Sequence, residues 1–249
     1  MKVTVALLYL SIISFTTYSF AEEGPINPGD NLDLTAVLNL FEKSKSVEDF
    51  ENLLNSEKND VNNLDLNDDG FVDYIRVIDY MDENTHSLTL QVPYSNTEAQ
   101  DVAVILIEEN DGETVLQIVG DEEIYGDEYI LEPGNDDSEE LVNVSNWAPV
   151  RQIYSPSYKV YVSPWKHNHY PNWYKPWKPV KWDVYQTYNR KHKVHCRRTH
   201  VYRSHHAQKH YRKHRKHSPA YHNHRNEIKK SPNRNRNGNG RNRHGGRRR

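Results

Sequence analysis

Opposite charges are sorted along this chain. Up to Val150 it carries 5 Lys and Arg against 33 Asp and Glu, a balance of −28. From Arg151 onward 27 Lys and Arg face 2 Asp and Glu, a balance of +25. The formal net charge of −3 averages these two extremes. Such an asymmetry points to contact with polyanions, contact with a membrane surface, or pairing between the halves. One cysteine, Cys196, has no partner in the chain, so a folded part must hold itself by its core. Cys196 is a candidate for an intermolecular bridge or a metal contact, or it is an incidental thiol.

Residues 1–21 read as a secretory signal peptide: Lys2, then the uncharged and mostly apolar Val3 to Phe20, with Ser19 and Ala21 before a cleavage point. The competing reading is an uncleaved anchor. Export to the periplasm, outer envelope or exterior follows. Residues 22–32, with Gly24, Pro25, Pro28 and Gly29, read as a linker. Residues 33–146 read as an acidic α+β domain. Asp33 caps a helix with Leu34, Val37, Leu38 and Phe41 at helical spacing, and Ser46 starts a second helix through Phe50, Leu53 and Leu54. Beyond Asp65 the apolar period falls to two, over Ile75–Tyr80 and Leu88–Val92. Val102 to Ile107 is a continuous apolar run, which marks a central strand covered on both faces. Asn110-Asp111-Gly112-Glu113 is a tight-hairpin signal leading into Val115–Val119, and Tyr129–Leu131 adds a last strand. The expected fold is a helix or helix pair on an antiparallel meander of four or five strands.

Residues 147–190 hold all five tryptophans, interleaved with Tyr and Pro, and read as an extended aromatic arm with one short strand at Val160 and Val162. Residues 191–249 are His, Arg, Lys and Asn with almost no aliphatic side chains. Such a composition cannot offset its ordering entropy by apolar burial, so the tail is expected to be largely disordered, with a transient helix over 202–217.

The sharpest motif is Asp65-Leu66-Asn67-Asp68-Asp69-Gly70-Phe71-Val72-Asp73. Calcium takes six to eight oxygens, and carboxylates or amides at alternate positions of a tight loop point inward together. Asp65, Asn67, Asp69 and Asp73 would ligate by side chain and Phe71 by its carbonyl, with Gly70 making the turn. The segment resembles the calcium loops of EF-hands, dockerins and FG-GAP/VCBS repeats. It lacks the twelfth-position Glu of the EF-hand, where Arg76 stands, which implies weak, extracellular-type affinity. The competing reading is an acidic Asx-type turn without an ion. Taken whole, through Asn63–Gly70, Asp73–Val77, Gln117–Asp121 and the Pro/Trp/Tyr arm, the chain resembles a family of exported Gram-negative bacterial proteins. That resemblance implies export and a shared domain, and brings no activity.

Of the 14 histidines, all but His86 lie at or beyond His167. In a helix, His206, His210 and His214 would stack at i, i+4 spacing and offer a site for Zn, Cu or Ni. That makes metal sequestration or sensing the alternative function. Clusters such as Arg197-Arg198, Arg212-Lys213, Arg215-Lys216 and Arg247-Arg248-Arg249 suit envelope lipid phosphates, acidic polysaccharide or extracellular DNA, or neutralise the chain's own acidic domain. Nucleophile elbows, phosphate-cradling Gly loops and zinc-protease motifs are absent, so no enzyme is expected. The expected function is a non-catalytic calcium-binding envelope or scaffolding protein with a polyanion-binding tail.

Overall fold

A computed structural model of the 249-residue chain describes residues 25–127, 129–134, 142–192 and 196–230. Residues 1–21, expected as a signal peptide, and the Arg-rich stretch from 231 lie outside these residues.

Helix α1 (Leu34–Lys43) starts at Asp33, whose carboxylate accepts the Thr35 and Ala36 N–H groups. Helix α2 (Val47–Leu54) starts at Ser46, whose hydroxyl accepts the Asp49 N–H. These caps satisfy donors that the first turn leaves orphaned. The apolar faces, including Leu34, Val37, Leu38, Phe41, Phe50 and Leu54, are fully buried. Leu32 is buried as well, and Pro28–Asn31 forms a 3-10 turn. The stretch expected as a linker is therefore part of the fold from Pro28 on.

Six antiparallel strands follow in meander order: β1 (Arg76–Asp82), β2 (Thr85–Val92), β3 (Gln100–Asn110), β4 (Glu113–Gly120), β5 (Tyr129–Pro133) and β6 (Cys196–Thr199). The hairpin between β3 and β4 turns on Asp111 and Gly112, both at positive φ (51° and 82°). That backbone needs a glycine or a short polar side chain, and its twist matches the flanking strands. The class is α+β as expected. Among the described residues the strands number six, and the helices are spread through the chain: α3 (Glu122–Tyr125), α4 (Ala148–Ile153), α5 (Trp182–Asn189), α6 (His205–His214) and α7 (Pro219–Lys230).

The sheet has two covered faces. Ala103, Ile105 and Ile107 of β3 join Leu88, Leu90, Leu116, Ile118 and Leu131 in the main core with α1, α2 and α4. Val104 and Leu106, pointing the other way, join Val119 and Ile130 under Ala207 and Tyr211 of α6. The doubly apolar run of β3 is thus answered by the basic tail itself.

The tail therefore departs from the expected disorder over 196–230. Strand β6 pairs with β5, and Glu132 accepts from Arg197 at 2.8 Å and Arg203 at 3.1 Å while its own side chain is 1% exposed. Arg215 grips the buried Asp121 at 2.7 Å. Composition alone missed these contacts because buried ion pairs and a few buried side chains, Ala207, Tyr211 and Tyr221, hold the segment without an aliphatic run. The aromatic arm also departs from a fully extended form, since α4 and α5 lie within it. It is stitched to the sheet: Ser163 and Tyr74 hydroxyls donate to Glu51, which also accepts the Val77 N–H. Val162 bridges to Ile78. Among the described residues no helix is long and apolar enough to cross a membrane.

Candidate functional site

The loop 65–73 joins the helical half to β1. Its side chains fold inward onto its own backbone. Asp65 accepts the Asp69 N–H at 3.1 Å and the Gly70 N–H at 2.9 Å. Asn67 accepts the Asp69 N–H at 3.0 Å, and Asp69 accepts the Phe71 N–H at 2.9 Å. The turn itself requires left-handed backbone at Asp68 (φ 54°) and Gly70 (φ 84°). A side chain at Gly70 would meet open space but a strained backbone.

Hydrophobic anchoring holds the loop in place. Val72 is 2% exposed, and its N–H donates to the Trp177 carbonyl at 2.7 Å. Tyr174 donates to the Val72 carbonyl at 2.9 Å. Tyr74 stacks on Tyr170 with ring centroids 5.2 Å apart and meets Tyr174 edge-on at 4.9 Å. These arm residues buttress the loop. The density of Tyr and Trp in 154–177 was their only signal in sequence, and it does not say what they touch.

The carboxylates of the loop bear on one another. Burial, with the charges of Asp69 and Asp68 behind it, raises the Asp65 carboxyl above its usual range. Burial, then the charges of Asp65, Asp69 and Asp68, push Asp73 up to about 7 even though it accepts the Leu66 N–H at 2.6 Å. His224 of α7 reaches Asp68 at 3.2 Å. Each inward carboxylate oxygen keeps a lone pair beyond the N–H it accepts. Oxygen donors with unmet charge suit a hard cation such as calcium.

Of the five residues expected to ligate, Asp65, Asn67 and Asp69 are interlocked around the Gly70 turn. Asp73 sits deeper and is tied to Leu66. The Phe71 side chain is 44% exposed. No three of the loop's carboxylates place ligand atoms all within 4.8 Å of one another.

His206, His210 and His214 share one face of α6, as helical spacing implies. His206 pairs with Asp82 at 3.0 Å, His210 and His214 lie 4.8 Å apart ring to ring, and His214 stacks on Tyr80 at 4.5 Å. Three ligand atoms of this set do not gather within 4.8 Å. Cys196 is half-buried, and burial pushes its thiol up to about 12. A thiol held protonated is a poor nucleophile and a poor metal ligand. No family model, curated protein or solved structure matches this chain.

Proposed function

We propose that this chain is an exported, non-catalytic calcium-binding module of the bacterial envelope or exterior, whose cationic end contacts polyanions. The observation that carries the reading is the inward-turned set Asp65, Asn67 and Asp69 around Gly70, with Asp73 beneath it at a pKa pushed to about 7. Like charges held this close repel unless a cation relieves them. Missing the bidentate Glu, the loop binds calcium weakly, in the upper micromolar to millimolar range of extracellular modules.

Residues 231–249 add seven Arg and no acid. The tail cations before them are partly engaged by the acidic sheet, as with Arg197, Arg203 and Arg215. The polyanion contact is therefore assigned to the terminal arginines and to exposed lysines. Lipid phosphate, acidic polysaccharide and DNA share the chemistry they read.

Calcium titration with thermal melting tests the first half. Calcium raises the melting point of the mature protein, EGTA reverses it, and Asp69→Ala abolishes the rise. An unchanged melting point at about 5 mM calcium rejects the reading. Heparin affinity tests the second half. Truncation after Lys230 lowers the salt needed for elution, and an unchanged elution position rejects a polyanion-binding end.

Sequestration of Zn, Cu or Ni by His206, His210 and His214 is a second reading. The contact of His206 with Asp82 and the buried, unpartnered Nδ1 of His210 favour it. Uptake on that site survives high salt, unlike polyanion binding.

A further inference from the structure

A second cluster of metal-binding groups lies where β4 runs into α3. Asp121 follows β4 and caps α3, Glu123 lies in α3, and His217 sits between α6 and α7. Among the described residues, only these three of the His, Cys, Asp and Glu side chains offer ligand atoms all within 4.8 Å of one another. They come from two segments almost a hundred residues apart, and no spacing rule in the sequence joins them.

The separations fit an ion better than they fit a hydrogen bond. Glu123 Oε2 lies 3.5 Å from His217 Nδ1. That oxygen is buried and has no hydrogen-bond partner. Zinc bonds of about 2.0–2.1 Å meeting at the tetrahedral angle place neighbouring ligand atoms about 3.3–3.4 Å apart. The other oxygen of Glu123 is oriented by His222 Nδ1 at 3.1 Å. Asp121 accepts the Glu123 N–H at 2.9 Å through Oδ1, and both Nε (2.8 Å) and Nη2 (2.7 Å) of Arg215 through Oδ2, so Oδ1 is the oxygen that keeps a lone pair for an ion.

His217 is held in place from both sides. The Lys216 N–H donates to Asp101 at 2.8 Å, and the Ser218 N–H donates to Gln100 at 3.0 Å. The Ser218 hydroxyl adds a 2.6 Å bond to Glu98. A ligand fixed before the ion arrives loses little entropy on binding. His217 and Glu123 remain partly open to solvent (43% and 29% exposed), so an ion can enter.

We propose that Asp121, Glu123 and His217 form a site for a zinc-class divalent ion, with His222 orienting Glu123 and water completing the shell. The nitrogen donor separates it from the oxygen-only loop, which favours calcium. Bound there, the ion clamps the segment joining α6 and α7 to the end of β4.

Zinc titration of the full mature chain against a chromophoric chelator tests this, with cobalt as a spectroscopic substitute. Glu123→Gln and His217→Gln each weaken zinc binding by at least about 100-fold, and His222→Ala weakens it by about 10–100-fold, the range for an orienting partner. Zinc raises the melting point of the parent chain and not of the Glu123→Gln variant. The His217 and His222 side chains are 43% and 57% exposed, so the unliganded His variants melt close to the parent. His206→Ala/His210→Ala and Asp69→Ala leave zinc affinity unchanged. Zinc affinity that survives both Glu123→Gln and His217→Gln overturns the proposal, as does affinity lost only with the α6 histidines or with Asp69.

Discussion

Asp73 illustrates how one residue carries both the stability and the ion chemistry of its loop. Its neutral form is favoured in the fold, with the pKa moved from 3.8 to about 7 by burial first and neighbouring carboxylates next. An acid with a raised folded-state pKa holds its proton more tightly when folded. Its stabilising contribution is present below about pH 3.8 and is lost as pH climbs through about 7. Asp101, raised to about 6, acts in the same direction. Glu132, held low by its arginines against the effect of burial, acts oppositely and only in acid. Calcium-free protein is therefore expected to melt lower at pH 7.5 than at pH 5, and Asp73→Asn to remove part of that slope while keeping an acceptor for Leu66. About 1 kcal/mol corresponds to about 2–4 °C in a chain this size, so the difference is measurable by calorimetry. A slope identical in the Asp73→Asn variant would mean that another group governs it. The motif, its turn glycine and its apolar anchor were legible in sequence because a tight acidic turn dictates residue types at fixed spacing, with Gly70 and Asp68 at its left-handed positions. The buttress of Tyr170, Tyr174 and the Trp177 carbonyl was not, since it is assembled from residues about a hundred positions away.

Among the elements, the strands from β1 to β5 and the first two helices were legible because local periodicity and caps specify them. The continuous run Val102–Ile107 also carried a demand that only the structure answers: a cover for its second face. That cover is α6, which presents Ala207 and Tyr211 at i, i+4 behind a Ser204 cap. The signal was present but faint, two apolar residues in a helix otherwise of His, Lys, Arg and Gln. Tyr211→Ala is expected to destabilise the protein by about 3–5 kcal/mol, the range for removing a large buried aromatic. It should also bring ANS binding, because Val104, Leu106, Val119 and Ile130 lose their cover. Urea denaturation measures the first and fluorescence the second. A loss under about 1 kcal/mol with no added dye binding would show that α6 rests on the sheet without stabilising it. β6 was illegible for a different reason: Cys196-Arg-Arg-Thr has no alternation to read, and its place is set by β5 and by Glu132.

For the whole molecule, the sorted charges act across the fold. The acidic half repels itself, with a balance of −28, and the basic half repels itself, with +25. Docking one on the other exchanges part of that repulsion for attraction. The two effects predict opposite responses to salt. Screening shortens the Debye length from about 10 Å at 0.1 M to about 3 Å at 1 M, weakening whichever term dominates. Pairs such as Arg215 with Asp121 and Arg197 with Glu132 are largely buried and are screened little. The response then belongs to exposed charges, such as Arg198 with Asp127 and Lys191 with Asp60. Since 196–230 lie against the acidic sheet, attraction between the halves dominates, and the melting point falls as sodium chloride is raised from about 0.05 to 0.5 M. Charge reversal at the buried acceptor, Glu132→Lys, should then destabilise the protein at every salt concentration, because it leaves Arg197 and Arg203 facing a third cation. A melting point that rises with salt in the parent chain would reverse the sign. Repulsion within each half would then outweigh attraction between them, and the fold of the basic segment would rest on Tyr211, Tyr221 and the few buried ion pairs alone.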